Sequence, residues 1–455
     1  MSDSQNIVWI VADSLRYDTV EREGLAVTPY MRDNATRFTQ ARSSGCWTLP
    51  ATASMFTGLV PHEHGATSQT RSVLDEHTVL AERLQDMGYK TIQITANPVT
   101  THIFGLDRGF DEVVRIWDTI PYRGSLLDTM LVLASKSRVR RELLTRTEDF
   151  VMGQMSDDVK AARAWIQSNA QDQFRQAKEA IEEYNAQGHP VFVFVNVMEA
   201  HFPYHVEDTL RMLKNSMLGQ LEELWALFHF VNQTRLMTEG EPISERMLEH
   251  IRRRQQVAWA RLAPQVDDFA REMHEDTGDL VIFCSDHGDV FGEQDWQYHF
   301  SNVSDGGNQT PLYIMEPGQT ESKVVEEQIS MRHLHDTVLK KVGVGDDDLI
   351  DLTVDAERSH PVLESYWYNR DGKTLDRYRF NQFAFTHSDQ KYVRRNDEWL
   401  HGRIANGIPE KDFSPLDKGV NPIEEIDFDN DEERSFLRKQ HDDFEVYSNA
   451  VLEDA

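Results

Sequence analysis

Short apolar runs that stop at polar residues constrain the fold of this chain more than any other feature. Residues 6–13 read NIVWIVAD and end at Asp13, and residues 280–287 read LVIFCSDH and end at Asp286 and His287. Similar runs lie at 89–97, 191–201 and 311–315. Runs of this kind are typical of strands buried on both faces of a parallel sheet. Helical patterns separate them, so we predict an α/β fold, a three-layer sandwich with a mixed, mostly parallel sheet between helices.

Polar residues at the ends of two such strands predict a binding site. The carboxyl ends of parallel strands open into the crevice where α/β proteins bind ligands, so Asp13, Asp286 and His287 should lie close together there. Two carboxylates and an imidazole are suitable ligands for a divalent metal ion. A third segment, CWTLPATASMFTG, adds a hydroxyl at Thr48, where a helix is predicted to begin. Thr48 is therefore a candidate nucleophile, and an ordinary helix N-cap is the alternative.

The domain organisation follows from length and pattern. A chain of 455 residues fits one large α/β domain with an appendage, or two domains. Beyond about residue 355, short aromatic and β-branched stretches are typical of a small antiparallel sheet, and the last 35 residues hold twelve acidic and three basic side chains. We predict a catalytic domain over 1–350, with helical insertions at about 124–188 and 206–277, and a C-terminal α+β subdomain over 351–455. Its acidic tail is expected to be helical or partly disordered.

The charge of the chain excludes one class of partner and indicates a working environment. A formal net charge of −30 would repel a phosphate backbone, so we do not expect nucleic-acid binding. Arginine outnumbers lysine by 34 to 13. An acidic, lysine-poor surface favours a halophilic, haloarchaeal protein, because salt screens its self-repulsion. An acidic protein from an ordinary environment is the alternative.

Targeting and cysteine signals favour a cytoplasmic protein. The chain begins MSDSQ and enters a predicted strand without a basic and apolar leader. No run approaches the roughly 20 apolar residues of a membrane helix, so no transmembrane segment is expected. The two cysteines, Cys46 and Cys284, lie in segments predicted to be core or close to the site. Reduced, buried thiols are therefore expected rather than a disulfide.

Several motifs, taken together, resemble the sulfatase-like branch of the alkaline phosphatase superfamily. In chain order they are VADSLRYD, TLPATASMFTGLVPHEHG, GLDRGFDEV, MEAHFPY, SDHGDVFGE and a histidine about a dozen residues before PLYI. The resemblance covers roughly residues 5–345. It implies the α/β sandwich of that superfamily, a divalent metal at the strand ends, and attack on an ester of phosphate or sulfate.

The resemblance also implies which residue attacks. Sulfatases carry C-x-P-x-R ahead of a Thr-Gly pair, and their cysteine is oxidised to formylglycine. Counting back from the Thr-Gly pair at 57–58 places Thr48 at the cysteine position and Pro50 at the proline position. Thr52 then stands where the arginine would be, and Cys46 lies two residues too early for formylglycine. The likeness is therefore to relatives that use threonine, such as phosphodiesterases, phosphonate monoester hydrolases and phosphoglycerol transferases.

The same likeness implies the metal ligands. Asp13 matches the first carboxylate of the sulfatase metal pair, and Ser14 stands in the second position. Asp286 and His287 match the later Asp-His pair. With the Thr48 hydroxyl they would hold one divalent ion, and a second ion is an alternative. The histidine ligand favours Mn or Zn over Ca.

Two further histidines are implied to act on the substrate. His201, in MEAHFPY, matches a His-x-Pro element that contacts the transferable group or protonates the leaving oxygen, work suited to a histidine near neutral pH. His299, twelve residues before the proline of PLYI, would bind the transferred group or ligate a second metal. Surface-loop histidines are the alternative for both. Glu199 is an alternative ligand of a second metal, Asn97 could line the site, and the run HEH at 62–64 is expected to be a surface turn.

These observations predict a metal-dependent hydrolase or transferase that acts on a phosphodiester, phosphonate or sulfate ester through Thr48. The substrate would be a small-molecule, or a glycan- or lipid-linked, anionic ester. Two alternatives stay open: a sulfatase that acts without formylglycine, and a catalytically silent member of the same fold that binds an anionic ligand. The missing arginine at Thr52 and the missing second carboxylate at Ser14 keep the silent alternative open.

Overall fold

A computed structural model describes most of the chain. The described residues are 5–21, 28–116, 170–202, 204, 245–293, 297–299, 302–366, 380–404, 413–428 and 431–453. The two predicted helical insertions fall partly outside these ranges, because residues 124–169 and 206–244 are not among them.

The described residues form fifteen strands in two larger sheets and one short hairpin. In chain order the strands are β1 (Ile7–Ala12), β2 (Thr36–Arg42), β3 (Lys90–Thr95), β4 (Glu112–Arg115), β5 (Val191–Val197), β6 (Leu280–Cys284), β7 (Val290–Phe291), β8 (Gln297–Tyr298), β9 (Leu312–Met315), β10 (Lys323–Ser330), β11 (Val362–Ser365), β12 (Gln382–His387), β13 (Gln390–Arg395), β14 (Glu398–Arg403) and β15 (Ser414–Pro415).

The helices connect and cover these strands. In chain order they are α1 (Tyr17–Val20), α2 (Pro29–Asn34), α3 (Thr48–Thr57), α4 (Pro61–His64), α5 (Leu80–Asp86), α6 (Ala170–Ala186), α7 (Glu245–Arg271), α8 (Asp305–Asn308), α9 (Leu334–Lys341), α10 (Pro422–Glu425) and α11 (Asp431–Glu453). Short 3-10 segments lie at Pro98–Thr100, Met331–His333 and Ala356–Arg358, and a π-helical turn follows α7 at Glu272–Asp276. Within the described ranges, no helix combines the length and the apolar character needed to cross a membrane.

An eight-stranded sheet forms the centre of the fold. Its strand order is β10-β2-β9-β6-β1-β5-β3-β4. Every neighbouring pair is parallel except the two that involve β9, which runs antiparallel to β2 and to β6. The predicted mixed, mostly parallel sheet is confirmed.

Alternate residues of β1 enter two separate cores, one on each face of the sheet. Trp9 belongs to the core that includes apolar residues of α3, α5 and α9, and Ile10 to the core that includes residues of α6 and α7. Burial on both faces explains the unbroken apolar run of β1, since each large apolar side chain contributes about 1.5–3 kcal/mol when fully buried. The helices on both faces confirm the three-layer sandwich.

A second, five-stranded antiparallel sheet lies toward the C-terminus, in the order β11-β12-β13-β14-β15. Leu437 and Phe444 of α11 pack with Phe383 and Phe385 of β12 in its core. The acidic C-terminal segment is therefore helical at Pro422–Glu425 and at Asp431–Glu453, and the longer helix places its apolar side on the sheet. The domain boundary near residue 350 stays a prediction.

Candidate active site

The carboxyl ends of β1 and β6 bring two carboxylates together. The strands are parallel neighbours, with Val11 beside Cys284, so the residues that follow them leave the sheet at one edge. The Asp13 amide donates to the Val197 carbonyl of β5 at 3.0 Å, which extends the sheet by one residue and fixes the Asp13 backbone. Asp13 and Asp286 are both fully buried at this edge.

Ser14 turns the chain sharply after β1. Its φ of 60° lies in the left-handed region, which costs a non-glycine residue about 1–3 kcal/mol. The turn brings the Ser14 amide to 3.2 Å from Asp286 Oδ1 and the Ser14 hydroxyl to 3.0 Å from Asp13 Oδ1. Ser14 stands where sulfatases have a second carboxylate, and here it donates hydrogen bonds to both acids.

Asp13, Asp286 and His287 form a buried cluster, in which one ligand atom from each lies within 4.8 Å of the other two. His287 Nε2 is 3.5 Å from Asp286 Oδ2 and 3.8 Å from Asp13 Oδ1. The other ring nitrogen, Nδ1, lies 2.8 Å from the Gly288 carbonyl, which can only accept a hydrogen bond. Nδ1 therefore carries a proton. In the neutral ring Nε2 offers its lone pair to the cluster, as metal-binding histidines do.

Helix α3 places the Thr48 hydroxyl against this cluster. Thr48 is the first residue of the helix, and Trp47 is the N-cap. Thr48 Oγ1 lies 3.5 Å from Asp13 Oδ2 and 3.4 Å from His287 Nε2. The N-cap alternative for Thr48 is wrong, because its hydroxyl faces the acids from inside the first turn. The positive end of the α3 dipole also favours negative charge at this position.

Asn97 follows β3 at the same edge of the sheet and contacts both the acid and the hydroxyl. Its Nδ2 donates to Asp13 Oδ2 at 2.7 Å and lies 3.3 Å from Thr48 Oγ1. Its Oδ1 accepts from the Val99 amide at 2.9 Å, which fixes the orientation of the side-chain amide. The sequence interpretation gave Asn97 only a lining role. The sequence signal for direct contact with the acid was the position of Asn97 just after a buried strand.

The buried acids repel each other, and their pKa values show it. Burial, and then the Asp13 carboxylate, raise the pKa of Asp286 to about 7. Burial also opposes ionisation of Asp13, but His201, His287 and the Asn97 amide outweigh it, so the pKa of Asp13 lies below its usual value. Burial lowers the pKa of His287, yet Asp286 and Asp13 outweigh burial and raise it. The site is a pocket of negative potential that favours a cation.

The donor set fits a divalent metal ion. Among the described residues, Asp286 Oδ2 is a buried oxygen without a hydrogen-bond partner, so it is an acceptor that a cation would satisfy. Two buried carboxylates side by side are costly, because taking each charge out of water costs several kcal/mol. Asp13, Asp286 and His287 would hold the ion, with Thr48 beside them. Mixed carboxylate and imidazole ligands suit Mn or Zn better than Ca.

The structure brings both further histidines to this cluster. His201 Nε2 is 4.0 Å from Asp13 Oδ1, and His201 Nδ1 lies 2.6 Å from the Phe202 carbonyl. The His299 ring is centred 4.7 Å from the ring of His287 and 5.3 Å from the ring of His201. The three histidines therefore stand together beside the acids.

Asp289 holds His299, and the sequence interpretation missed it. Asp289 Oδ1 lies 2.7 Å from His299 Nδ1, and Asp289 Oδ2 accepts from the Tyr204 hydroxyl at 2.8 Å. Burial is the largest influence on His299 and lowers its pKa to about 4, although Asp289 acts in the opposite direction. The signal was an acid three residues after Asp286 in the same SDHGD motif.

Other candidates lie elsewhere. Glu199 Oε1 accepts from the Ala170 amide at 2.7 Å, so Glu199 caps the start of α6 and is not part of the three-residue cluster. The expected surface turn at 62–64 is wrong, because His64 is fully buried and His62 Nδ1 pairs with Glu364 Oε1 at 2.7 Å. Both cysteines are buried, as predicted.

These features define a class: an α/β protein with a buried acidic cluster suited to a metal, beside a helix-borne hydroxyl at the carboxyl edge of its sheet. Residues 5–344 match the sulfatase family, and the chain belongs to that family. It is similar to arylsulfatase K of Xenopus laevis, with 21% identity over an alignment of 372 residues that covers 74% of this chain and 63% of that protein. The chain thus spans about three-fifths of the length of that relative.

Solved structures share the fold. Phosphonate monoester hydrolase of Agrobacterium radiobacter has a TM-score of 0.59 at 17% identity, over 97% of this chain and 96% of its own. A protein in the alkaline phosphatase superfamily from Vibrio parahaemolyticus has a TM-score of 0.51 at 15% identity, over 100% of this chain and 88% of its own. The predicted sulfatase-like membership is confirmed.

Proposed function

We propose that this protein hydrolyses or transfers a phosphate-type ester, with Thr48 as the nucleophile and a divalent metal held by Asp13, Asp286 and His287. One observation carries the proposal: the Thr48 hydroxyl lies 3.5 Å from Asp13 and 3.4 Å from His287, in contact with the acidic cluster. A hydroxyl is a weak nucleophile alone and needs such activation. Phosphodiesters and phosphonate monoesters are the proposed substrates.

The residues around the cluster set the geometry before substrate arrives. When bound, the ion would supply Lewis-acid activation of the hydroxyl and of the ester oxygen. The Gly288 carbonyl fixes the tautomer of His287, and the Asn97 amide ties Asp13 to Thr48. Fixed geometry of this kind lowers the barrier, because the reacting groups need no further ordering.

Attack by Thr48 divides the reaction into two displacements. In the first, the Thr48 oxygen bonds to phosphorus, the bond from phosphorus to one ester oxygen breaks, and the hydroxyl proton passes to bulk water. In the second, a water oxygen bonds to phosphorus, the bond to Thr48 breaks, and Thr48 regains a proton. An alcohol in place of that water would give transfer instead of hydrolysis.

The two histidines act on the leaving side. His201 donates to the Phe202 carbonyl through Nδ1, and Nε2 lies 4.0 Å from Asp13. In the imidazolium form, Nε2 gives its proton to the departing oxygen and regains one from water in the second displacement. Asp289 holds His299 through Nδ1, which leaves His299 Nε2 for the transferred group, and Nε2 donates to the oxygens of that group only in the imidazolium form. If the Nδ1 partners changed, both imidazole rings would lose the orientation that directs Nε2 at the substrate.

A sulfatase that acts without formylglycine is the second candidate. The likeness to arylsulfatase K favours it, whereas a threonine at the attacking position favours phosphorus, since sulfatases attack through an aldehyde hydrate. Ser14 argues against the catalytically silent alternative. It lacks the second carboxylate of sulfatases, but its hydroxyl and amide donate to Asp13 and Asp286 and stabilise both acids.

A substrate panel tests the proposal. Wild-type protein in high KCl with Mn²⁺ would be assayed with a bis-aryl phosphate diester, an aryl phosphonate monoester, an aryl sulfate and an aryl phosphate monoester. We expect the diester or the phosphonate ester to give the highest kcat/KM. A highest value for the sulfate would favour the sulfatase alternative. Absence of turnover on all four, with no metal bound, would favour the silent alternative.

Replacing Asn97 with alanine should lower kcat by about 10²-fold, the usual scale for one lost donor in a preorganised site. The reason is that Asn97 contacts both Asp13 and Thr48. Asn196→Ala is the matched control, since Asn196 donates to the same Asp13 oxygen at 3.3 Å. We expect a loss of less than about tenfold for Asn196→Ala. Equal losses in the two variants would show that the Thr48 contact of Asn97 is unimportant.

Salt should raise both stability and activity. At a net charge of −30 the folded chain repels itself, and molar salt shortens the Debye length to about 3 Å. We expect a higher Tm and kcat in roughly 2 M KCl than in roughly 0.1 M KCl. Sucrose is the control, because it stabilises proteins without screening charge. Equal Tm values at the two KCl concentrations would contradict the halophilic prediction.

A further inference from the structure

A buried lysine reaches from the C-terminal sheet to the edge of the candidate active site. Lys391, on β13, is 0% exposed, and its Nζ donates to the Val303 carbonyl at 2.7 Å and to Asp305 Oδ1. Asp305 Oδ2 accepts from Arg42 Nη2 at 2.9 Å. Asp305 and Arg42 are also buried, so one carboxylate joins a cation of the central sheet to a cation of the second sheet.

Asp305 begins the helical turn α8, which contacts the loop of the metal cluster. The Gly307 carbonyl of this turn accepts from the Gly288 amide at 2.7 Å. A Cβ on Gly288 would lie 2.3 Å from Gly306 O, so the two backbones approach as closely as glycine alone permits. Gly288 directly follows His287 and its carbonyl fixes the His287 ring. The position of α8 therefore sets the position of His287.

The same turn holds the loop that leads to Thr48. The Asn308 carbonyl accepts from the Ser43 amide at 2.8 Å, and the Asn308 side chain donates to the Gly45 carbonyl at 3.0 Å. Helix α3 begins at Thr48, three residues after Gly45. The turn thus joins the nucleophile loop to the loop that carries His287.

We propose that Lys391 is a positioning residue for the reaction. By holding Asp305, it sets the separation of Thr48 from the metal cluster, so that the C-terminal sheet completes the active site. Stability alone does not explain this group, since well-packed apolar side chains often replace buried ion pairs without loss of stability. A role in positioning explains the group, because a displacement of about 1 Å at a reacting group can cost 10²-fold in rate. The inference rests on the proposed function.

Lys391→Met tests the proposal. Methionine fills the space of the lysine side chain as far as its ε-carbon and removes only the ammonium group. Asp305 stays paired with Arg42, so the protein should fold. We expect kcat on the bis-aryl phosphate diester to fall at least about tenfold, with KM changed by less than about threefold. Calorimetric titration with Mn²⁺ should show a weaker affinity, because His287 shifts with Gly288.

Ser448→Ala is the control. Ser448 Oγ accepts from Asn381 Nδ2 at 2.9 Å, between α11 and the second sheet. Its loss should lower Tm while kcat and the Mn²⁺ affinity stay at the wild-type values. A role of Lys391 in stability alone would give Lys391→Met the same profile, and that result would overturn the proposal.

Two further outcomes complete the test. If Lys391→Met does not fold, Asn308→Ala is the second variant, because it breaks the contact of α8 with the Gly45 carbonyl. We then expect a lower kcat and an unchanged Mn²⁺ affinity, and an unchanged kcat would overturn the proposal.

The role of Lys391 can also fail while the proposed function stands. That result would be wild-type kcat and Mn²⁺ affinity in Lys391→Met, with activity lost in Thr48→Ala. A wild-type protein that neither binds Mn²⁺ nor cleaves any ester would overturn both.

Discussion

Thr48→Ala should lower kcat for phosphodiester hydrolysis by at least about 10³-fold, the scale seen when a nucleophile is removed from a preorganised site. The hydroxyl lies 3.5 Å from Asp13 and 3.4 Å from His287, and the substitution removes it together with one methyl group. Alanine is also a good helix former, so α3 should remain intact. Metal affinity should change much less than kcat, because three ligands remain. Steady-state kinetics and calorimetric titration with Mn²⁺ measure the two quantities.

Thr52→Ala is the matched control for Thr48→Ala. Thr52 lies one turn later in the same helix, is 0% exposed, and its hydroxyl lacks a hydrogen-bond partner among the described residues. Thr52 also stands where sulfatases have an arginine. We expect the kcat of Thr52→Ala to stay within about threefold of the wild-type value, since this substitution removes no hydrogen bond. Comparable kcat values for both variants would show that the hydroxyl of Thr48 does not attack.

Asp286→Asn should abolish tight metal binding. Changes in groups that only orient metal ligands cost about 10–100-fold in affinity, so the loss of a direct carboxylate ligand should cost more than about 100-fold. Without metal, the variant should be at least as stable as the wild type, because burial and Asp13 disfavour the Asp286 charge and raise its pKa to about 7. In the wild type, Mn²⁺ at 100 times its Kd should add about 2.7 kcal/mol to the free energy of unfolding. Thermal unfolding with and without Mn²⁺ measures both effects.

Asp267→Asn is the matched control for Asp286→Asn. Asp267 is also a buried acid, and its carboxylate accepts from the backbone amides of Tyr30 and Met31 at 3.0 and 2.9 Å. Burial raises the pKa of Asp267 as well. This variant should bind Mn²⁺ as the wild type does. Retention of wild-type Mn²⁺ affinity by Asp286→Asn would contradict the assignment of Asp286 as a ligand.

The strands and the candidate metal ligands could be predicted from the sequence because their signals are local. A buried strand needs an unbroken apolar run, and β1 and β6 each show one directly before Asp13 and Asp286. Parallel pairing then brings the residues after both strands to one edge of the sheet. The spacing of a motif identified Thr48. In the structure α3 begins at Thr48 and ends just before Gly58, so the motif spans one helix.

Asp289 and Lys391 could not be predicted because their roles depend on distant partners. Asp289 gains its role only when the chain returns His299 to it, ten residues later. From the sequence alone, Lys391 would be placed on the solvent-facing side of its strand. In the structure it is buried, because it pairs with Asp305, 86 residues away. Buried charges are rare, so sequence patterns assign such lysines to the surface by default.

Helical patterns carried the least information about function. The two long blocks at about 124–188 and 206–277 were predicted to be insertions, and α6 and α7 occupy their described parts. Both helices pack on one face of the central sheet, with Phe174 stacked on Phe269 at a ring distance of 4.5 Å. The described parts therefore belong to the core of the fold, and the predicted insertions at 124–169 and 206–244 lie outside the described residues.

We propose that Thr48 forms a covalent bond to the transferred group during turnover. The most direct measurement is mass spectrometry of protein quenched with acid during turnover of a bis-aryl phosphate diester, followed by digestion and fragmentation of the peptide from α3. We predict an aryl phosphate on Thr48 and its absence from the same peptide of Thr48→Ala. Turnover with the modification on another residue, or with an aldehyde at Cys46, would contradict the account.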